Sequence, residues 1–147
     1  MFKEKLYAGW GDMDFNSHMR NTAFLDKSGD VRMKFFSENE FPMQEFMRLK
    51  IGPVVLKDEI EYYREIHLLE KITVTLSIAG LSENGSRFLM RNHFFHADNK
   101  LAAKVTSAGG WLNLSSRRLT RPPEKLLAAL KSLPKTADFI EIPSRIG

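Results

Sequence analysis

The stretch Gly11-Asp12-Met13-Asp14-Phe15-Asn16-Ser17-His18-Met19-Arg20-Asn21-Thr22-Ala23-Phe24-Leu25, running on to Phe36, joins a dense group of Asp, Asn, Ser and His to the longest apolar helical pattern in the chain. Phe24, Ser28, Val31 and Phe35 share one stripe at helical spacing, with Leu25, Gly29, Arg32 and Phe36 beside it. So wide an apolar surface belongs to a helix gripped by other elements. Asn16, Ser17 and Asn21 are N-cap types, so a helix start between Ser17 and Thr22 is expected, with Asp26 near the positive end of the dipole. The polar cluster therefore sits at a helix N-terminus, where unpaired backbone N–H groups suit an anion or a developing oxyanion.

Upstream, residues 3–10 alternate, with Leu6, Ala8 and Trp10 against Lys5, Tyr7 and Gly9, which reads as a half-buried strand. Downstream, Glu38 to Pro42 breaks the pattern, and residues 43–49 read as a short helix or turn, a connector or mobile lid before Gly52-Pro53. A long strand is expected from Val54 to Ile66, with Asp58 interrupting its inward set as a bulge or a functional exception. Residues 71–81 alternate most cleanly, and Ser82-Glu83-Asn84-Gly85-Ser86 is a hairpin turn, since Asn-Gly favours positive φ. Strands follow from Phe88 to His96 and from Leu101 to Leu114, joined by the turn at residues 97–100. Arg121-Pro122-Pro123-Glu124 opens a helix through Leu133, and residues 134–147 read as a C-terminal tail or an added arm. The order implies an α+β domain over residues 1–147, with a long central helix wrapped by a five-stranded antiparallel sheet and a C-terminal helix.

Composition narrows the chemistry. With 43% hydrophobic residues in 147, the chain can build one core. The absence of cysteine excludes disulfides, thiolate metal ligands and a thiol nucleophile. Without a long apolar run or an N-terminal signal pattern, a soluble, cytoplasmic protein with no membrane association is expected. The formal charge of +4 comes from scattered Lys and Arg, with Arg117-Arg118 the only adjacent pair. No basic stripe marks a nucleic-acid surface, so the excess reads as solubility charge, with a phosphate-bearing small ligand as the functional alternative.

Three readings compete for Asp12, Asp14, His18 and Asn21. A carboxylate beside a helix start suits acyl transfer, acting as base or nucleophile while backbone amides receive the oxyanion. Asp12, Asp14 and His18 offer metal-ligand atoms, though no further residue is spaced to complete the set. The plainest alternative is that they cap a helix and make a turn.

Asp14-Phe15-Asn16-Ser17-His18-Met19-Arg20-Asn21-Thr22-Ala23-Phe24 resembles the motif Asp-x-x-Gly-His-(Val/Met)-x-Asn-x-x-(Tyr/Phe) of hotdog-fold acyl-CoA thioesterases related to 4-hydroxybenzoyl-CoA thioesterase. The resemblance includes Trp10-Gly11-Asp12-Met13 and extends to about Pro123, in the element order of the hotdog fold. It implies hydrolysis of an acyl-CoA to free acid and CoA, with no cofactor and no metal. Asp14 then matches the catalytic carboxylate, attacking the thioester or activating water, and Asn21 matches the position whose backbone N–H faces the thioester oxygen. His18 orders the loop or faces a partner subunit and is a further catalytic candidate, and Asp12 gives structural support. Arg87, Arg91, Arg117 and Arg118 are candidates for the CoA phosphates, and Glu59 and Glu61 for an acid drawn from another element. Phe24, Phe35, Phe46 and Met47 are candidates for an acyl pocket. His93 and His96 fall on opposite faces of a strand, which suits them poorly as joint metal ligands. A homodimer or homotetramer is implied, with sites at subunit boundaries. Two departures stand out: Ser17 where Gly is common, and Arg20 where a second Asn is common. A non-catalytic acyl-CoA-binding module and an enoyl-CoA hydratase or dehydratase are the alternatives within the fold.

Overall fold

The helical pattern is realised as α1 (Asn21–Glu38), which buries Ala23, Phe24, Ser28, Val31, Arg32, Phe35 and Phe36. Those are the expected stripes, with Leu25 and Gly29 half-buried at their margin. The computed structural model describes residues 2–144. Around α1 lie β1 (Lys3–Tyr7), β2 (Ile51–Tyr62), β3 (Lys71–Ser82), β4 (Arg87–His96), β5 (Leu101–Asn113), β6 (Arg118–Thr120) and β7 (Lys135–Ile142), with helices α2 (Met43–Leu49) and α3 (Glu124–Ser132). The strands run in the order β1-β3-β4-β5-β2, with β6 added to β5 and β7 to β3. Every pairing is antiparallel except β3 with β7, which is parallel. This is the hotdog arrangement, a sheet folded around one long helix.

The sheet has seven strands where five were expected. Residues 135–142 are a strand and not a loose tail; of the expected tail, residues 145–147 lie outside those described. The physical reason lies at the edge of β3. Strand β1 pairs with residues Lys71 to Thr75 of that edge, and β7 pairs further along, Gly80 opposite Ile140 and Ser82 opposite Ile142. Two short strands thus satisfy backbone groups that a 12-residue edge strand would otherwise expose. Strand β1 also ends sooner than alternation predicts, because Trp10, 83% exposed, sits in a tight helical turn at Trp10–Asp12.

Asp58 is not the bulge. The pairing of β2 with β5 shifts register between Val55 and Lys57, so Leu56 is the extra residue, while Asp58 accepts a hydrogen bond from the buried Ser107 hydroxyl. The core faces α1. Its largest buried side chain, Trp111, stacks on Phe46 of α2 at 6.3 Å, touches Phe36 and Phe88, and donates from Nε1 to the Gly85 carbonyl at 2.9 Å. Gly85, at φ +76°, supplies the hairpin turn read from Asn-Gly. Among the described residues, no helix is long and apolar enough to cross a membrane.

At the bulge the backbones of β2 and β5 come close. A Cβ built on Gly109 would lie 2.1 Å from the Val54 carbonyl oxygen, a contact no side-chain rotation relieves. Gly109→Ala should therefore destabilise the protein by about 3 kcal/mol or more, at the upper end of overpacking costs, read as a lower denaturant midpoint.

Candidate active site

Residues 13–19 form a tight loop closed by the Met13–Met19 bridge, in which the Asp14 amide donates to the His18 carbonyl at 2.9 Å and the Ser17 amide to the Asp14 carbonyl at 3.3 Å. The Asp14 carboxylate folds back into this loop. Its Oδ1 accepts the amides of Asn16 at 2.8 Å and His18 at 3.3 Å, and its Oδ2 lies 3.2 Å from His18 Nδ1. With Oδ1 held by two amides, the part of Oδ2 not facing His18 is the portion open to a further partner. Phe15, at the loop tip, is fully exposed.

Helix α1 starts beside it. Arg20 stands at the N-cap position without a side-chain capping hydrogen bond; the Ala23 amide donates to the Arg20 carbonyl at 3.0 Å, and the amides of Asn21 and Thr22 are left to a ligand or solvent. Asp14, His18, Asn21, Phe24, Tyr62 and Glu65 line one cleft of about 500 Å³. Phe24 and Tyr62 meet edge to face at 5.4 Å on its apolar side. Burial raises the Tyr62 phenol above its ordinary value and so keeps it a neutral donor.

Asp12 is turned away from this cleft. Burial works against its charged form, but the Gly9 amide at 2.8 Å, Lys27 at 3.0 Å and the field of Arg20 outweigh it and hold the carboxyl below its usual range. It ties the loop to α1, as the expected support does. Asp12, Asp14 and His18 therefore do not converge on one point, and the described residues contain no group of three or more His, Asp or Glu placed to hold a metal ion.

The other candidates separate. Of the aromatic set, Phe24 lines the cleft, Phe35 and Phe46 go to the core, and Met47 is 67% exposed on α2. Glu59 pairs with Lys57 at 2.8 Å, and Glu61 accepts the Tyr63 hydroxyl at 2.9 Å; neither is among the residues lining the cleft. Arg91 is committed to β7, bonding Asp138 at 2.7 Å and Thr106 at 2.8 Å, which drives the Asp138 carboxyl far below the carboxylate range. Arg87 donates to the Pro143 carbonyl at 3.2 Å, and Arg117 and Arg118 are exposed at the β5–β6 turn. None of these four arginines is among the lining residues, whereas Arg64 is. His93 stacks on Phe95, while His96 pairs with Glu70.

Arg64 and Glu65 are the charged lining residues that the sequence reading passed over. It carried β2 on to Ile66, which hid them inside a strand; the break after Tyr62 is what turns them to the site.

A family model described as the thioesterase-like superfamily matches residues 8–130. The chain belongs to the thioesterase-like superfamily. Among solved structures, a Staphylococcus aureus protein in complex with CoA is 21% identical with a TM-score of 0.81, covering 92% of this chain and 87% of that one. A 1,4-dihydroxy-2-naphthoyl-CoA thioesterase from Synechocystis is 16% identical with a TM-score of 0.79, covering 90% and 96%. At these identities the likeness is one of fold. A comparison with curated proteins finds no significant match.

Ser17 tests the loop geometry of this superfamily member directly. It stands where the motif commonly has Gly and adopts φ 68°, which costs a non-glycine residue about 1–2 kcal/mol. Ser17→Gly, discounted for glycine's greater chain entropy, should stabilise the fold by about 0.5–1 kcal/mol, seen as a higher Tm.

Proposed function

We propose that the protein hydrolyses an acyl-CoA thioester to the free acid and CoA, with Asp14 as the catalytic carboxylate and 1–147 acting as one unit. The observation that carries this reading is the cleft in which a doubly anchored carboxylate and an uncapped helix start share one wall. A thioester carbonyl seated against the Asn21 amide gains hydrogen bonding as its oxygen becomes negative, and the helix dipole adds to it. Asp14 Oδ2 then either attacks the carbonyl carbon or takes a proton from the water that does. The anchoring amides hold the Asp14 carboxylate in place while the carbonyl waits. Arg64 at the cleft and the exposed Arg117 and Arg118 are the cations to examine for the CoA phosphates.

The subunits are expected to pair as a homodimer or homotetramer. Strand β2 is an edge of the sheet, and Val55, Leu56 and Tyr62 stand on it 43%, 68% and 53% exposed, an apolar edge that a second copy would cover. Light scattering should return a dimer or tetramer mass, and Leu56→Lys should shift it towards the monomer.

Hydration of an enoyl thioester is a second reading, favoured by the 3.2 Å contact between Asp14 and His18, since an acid–imidazole pair can add water across a double bond. A panel of acyl-CoA substrates with a free-thiol readout, run beside an enoyl-CoA hydration assay, separates the two. On the best hydrolysed substrate, Asp14→Asn should lower kcat by ~10²-fold or more with an unchanged melting curve. Turnover close to that of the parent would remove Asp14 from the mechanism.

A further inference from the structure

His18 has a second carboxylate. Its Nδ1 faces Asp14 at 3.2 Å, and its Nε2 faces Oε1 of Glu65 at 3.9 Å. The other oxygen of Glu65 lies 3.9 Å from Nε2 of His67, which is 64% exposed. Acid and imidazole thus alternate from the cleft to the surface: Asp14, His18, Glu65, His67. Glu65 also lines two clefts at once, the one holding Asp14 and an open one of about 620 Å³ that contains His67, Glu70 and His96. It forms the wall between the two clefts.

That placement is built in, although the Glu65 side chain itself is 64% exposed. Segment 63–70 is fixed along its length. The amides of Tyr63 and Arg64 donate to the Ala102 carbonyl at 2.8 and 3.1 Å, and the Met19 amide donates to the Ile66 carbonyl at 2.7 Å. Ile66 is buried, Leu69 donates to the Ala8 carbonyl at 2.7 Å, and Glu70 pairs with His96. Backbone pinned on both sides of residue 65 holds its carboxylate beside His18. The 3.9 Å gap is about 1 Å beyond a hydrogen bond, within reach of a rotamer change in an exposed side chain.

We propose that Glu65 carries the proton of each turnover out of the active site through His18. The inference rests on the hydrolytic reading above but on neither of its two routes. In both, water loses both O–H bonds, a C–O bond forms, the C–S bond breaks and an S–H bond forms on the leaving thiol. The products at neutral pH are a carboxylate, the CoA thiol and one proton that must reach solvent. His18, neutral with its hydrogen on Nε2, takes that proton at Nδ1 from the Asp14 side and yields the Nε2 hydrogen to Glu65 Oε1, which leaves the ring with its hydrogen on Nδ1. Glu65 then releases it to water or His67. Glu65 returns to its starting state, and exchange with water moves the His18 hydrogen from Nδ1 back to Nε2 before the next turnover, so no co-reactant is needed.

The test is buffer rescue in the free-thiol assay. In dilute buffer, Glu65→Gln should lower kcat ~10-fold or more with KM unchanged within ~2-fold, since proton transfer by a positioned group is worth at least that much. Concentrated imidazole buffer should restore most of the loss, and the parent enzyme should not respond to buffer. A lost contact or a disturbed loop would not be repaired by a diffusing base. Parent-like kcat in dilute buffer would overturn the proposal, as would a loss that no buffer recovers. An inactive parent, or an active Asp14→Asn, would instead overturn the hydrolytic reading, so the two failures are distinct.

Discussion

Helix α1 cannot exist alone, and the length of its apolar side sets the dimensions of everything around it. Its 18 residues run about 27 Å at 1.5 Å per residue, and the buried side chains extend from Ala23 near one end to Phe36 near the other. Covering that face takes strands of similar or greater length. Strands β2, β3, β4 and β5, at 12, 12, 10 and 13 residues, reach about 33–43 Å, enough to cross the helix and curl past both ends. The one charged residue on the buried stripe is accommodated rather than expelled. Arg32 donates from Nε to Asn92 at 2.9 Å, and Asn92 in turn donates to the Thr75 carbonyl at 3.2 Å. Burial lowers the Arg32 pKa to about 10 against the opposing pull of Asp58, so the guanidinium remains charged at neutral pH.

The site follows from where this wrapping has to begin and turn back. The chain enters α1 from β1 through the loop at residues 13–19, and β2 leaves the sheet at the same end, beside Phe24. The Met19 amide and the Ile66 carbonyl, 47 residues apart in sequence, meet there at 2.7 Å. One backbone hydrogen bond thus joins the loop that supplies the Asp14 carboxylate to the segment that supplies the opposite wall. A helix N-terminus, a return loop and a strand end coincide, and the cleft is the space they leave.

How much of this could be read from residues depends on how each part is encoded. Phe24 to Phe36 carries the helix in its own spacing, and Asn84-Gly85 carries its turn in the φ that Gly85 adopts, so both were legible. Strand β7 was not. Its pairing is parallel and reaches across the sheet to β3, and its stability rests on partners such as the Arg91–Asp138 contact, which local alternation does not report. Arg91 looked free for a ligand for the same reason: the carboxylate that occupies it lies 47 residues away. Asp14 and His18 were legible because the loop that joins them is local. Glu65 was hidden because the end of β2 is set by its pairing with β5, and residues 63–66 keep an apolar and polar mixture that a strand would tolerate.

The two departures from the family motif act on the mouth of the site and leave its centre in place. Ser17 takes the left-handed backbone conformation that Gly would adopt at no cost, so Asp14 still receives its two amides. Arg20 replaces a short amide with a long cation. Its backbone amide reaches the Asp12 carbonyl at 2.9 Å, and its guanidinium bonds Thr22 Oγ1 at 2.7 Å and the Gly11 carbonyl. That side chain staples the first turn of α1 to the loop before it, and Lys27 repeats the link through Asp12. The helix start is thereby held against the carboxylate by ion pairs and hydrogen bonds where a capping side chain is missing. In the proposed hydrolysis the division of labour between Asp14 and the Asn21 amide depends on the distance between them staying fixed, and the staple spans the segment where it would otherwise vary.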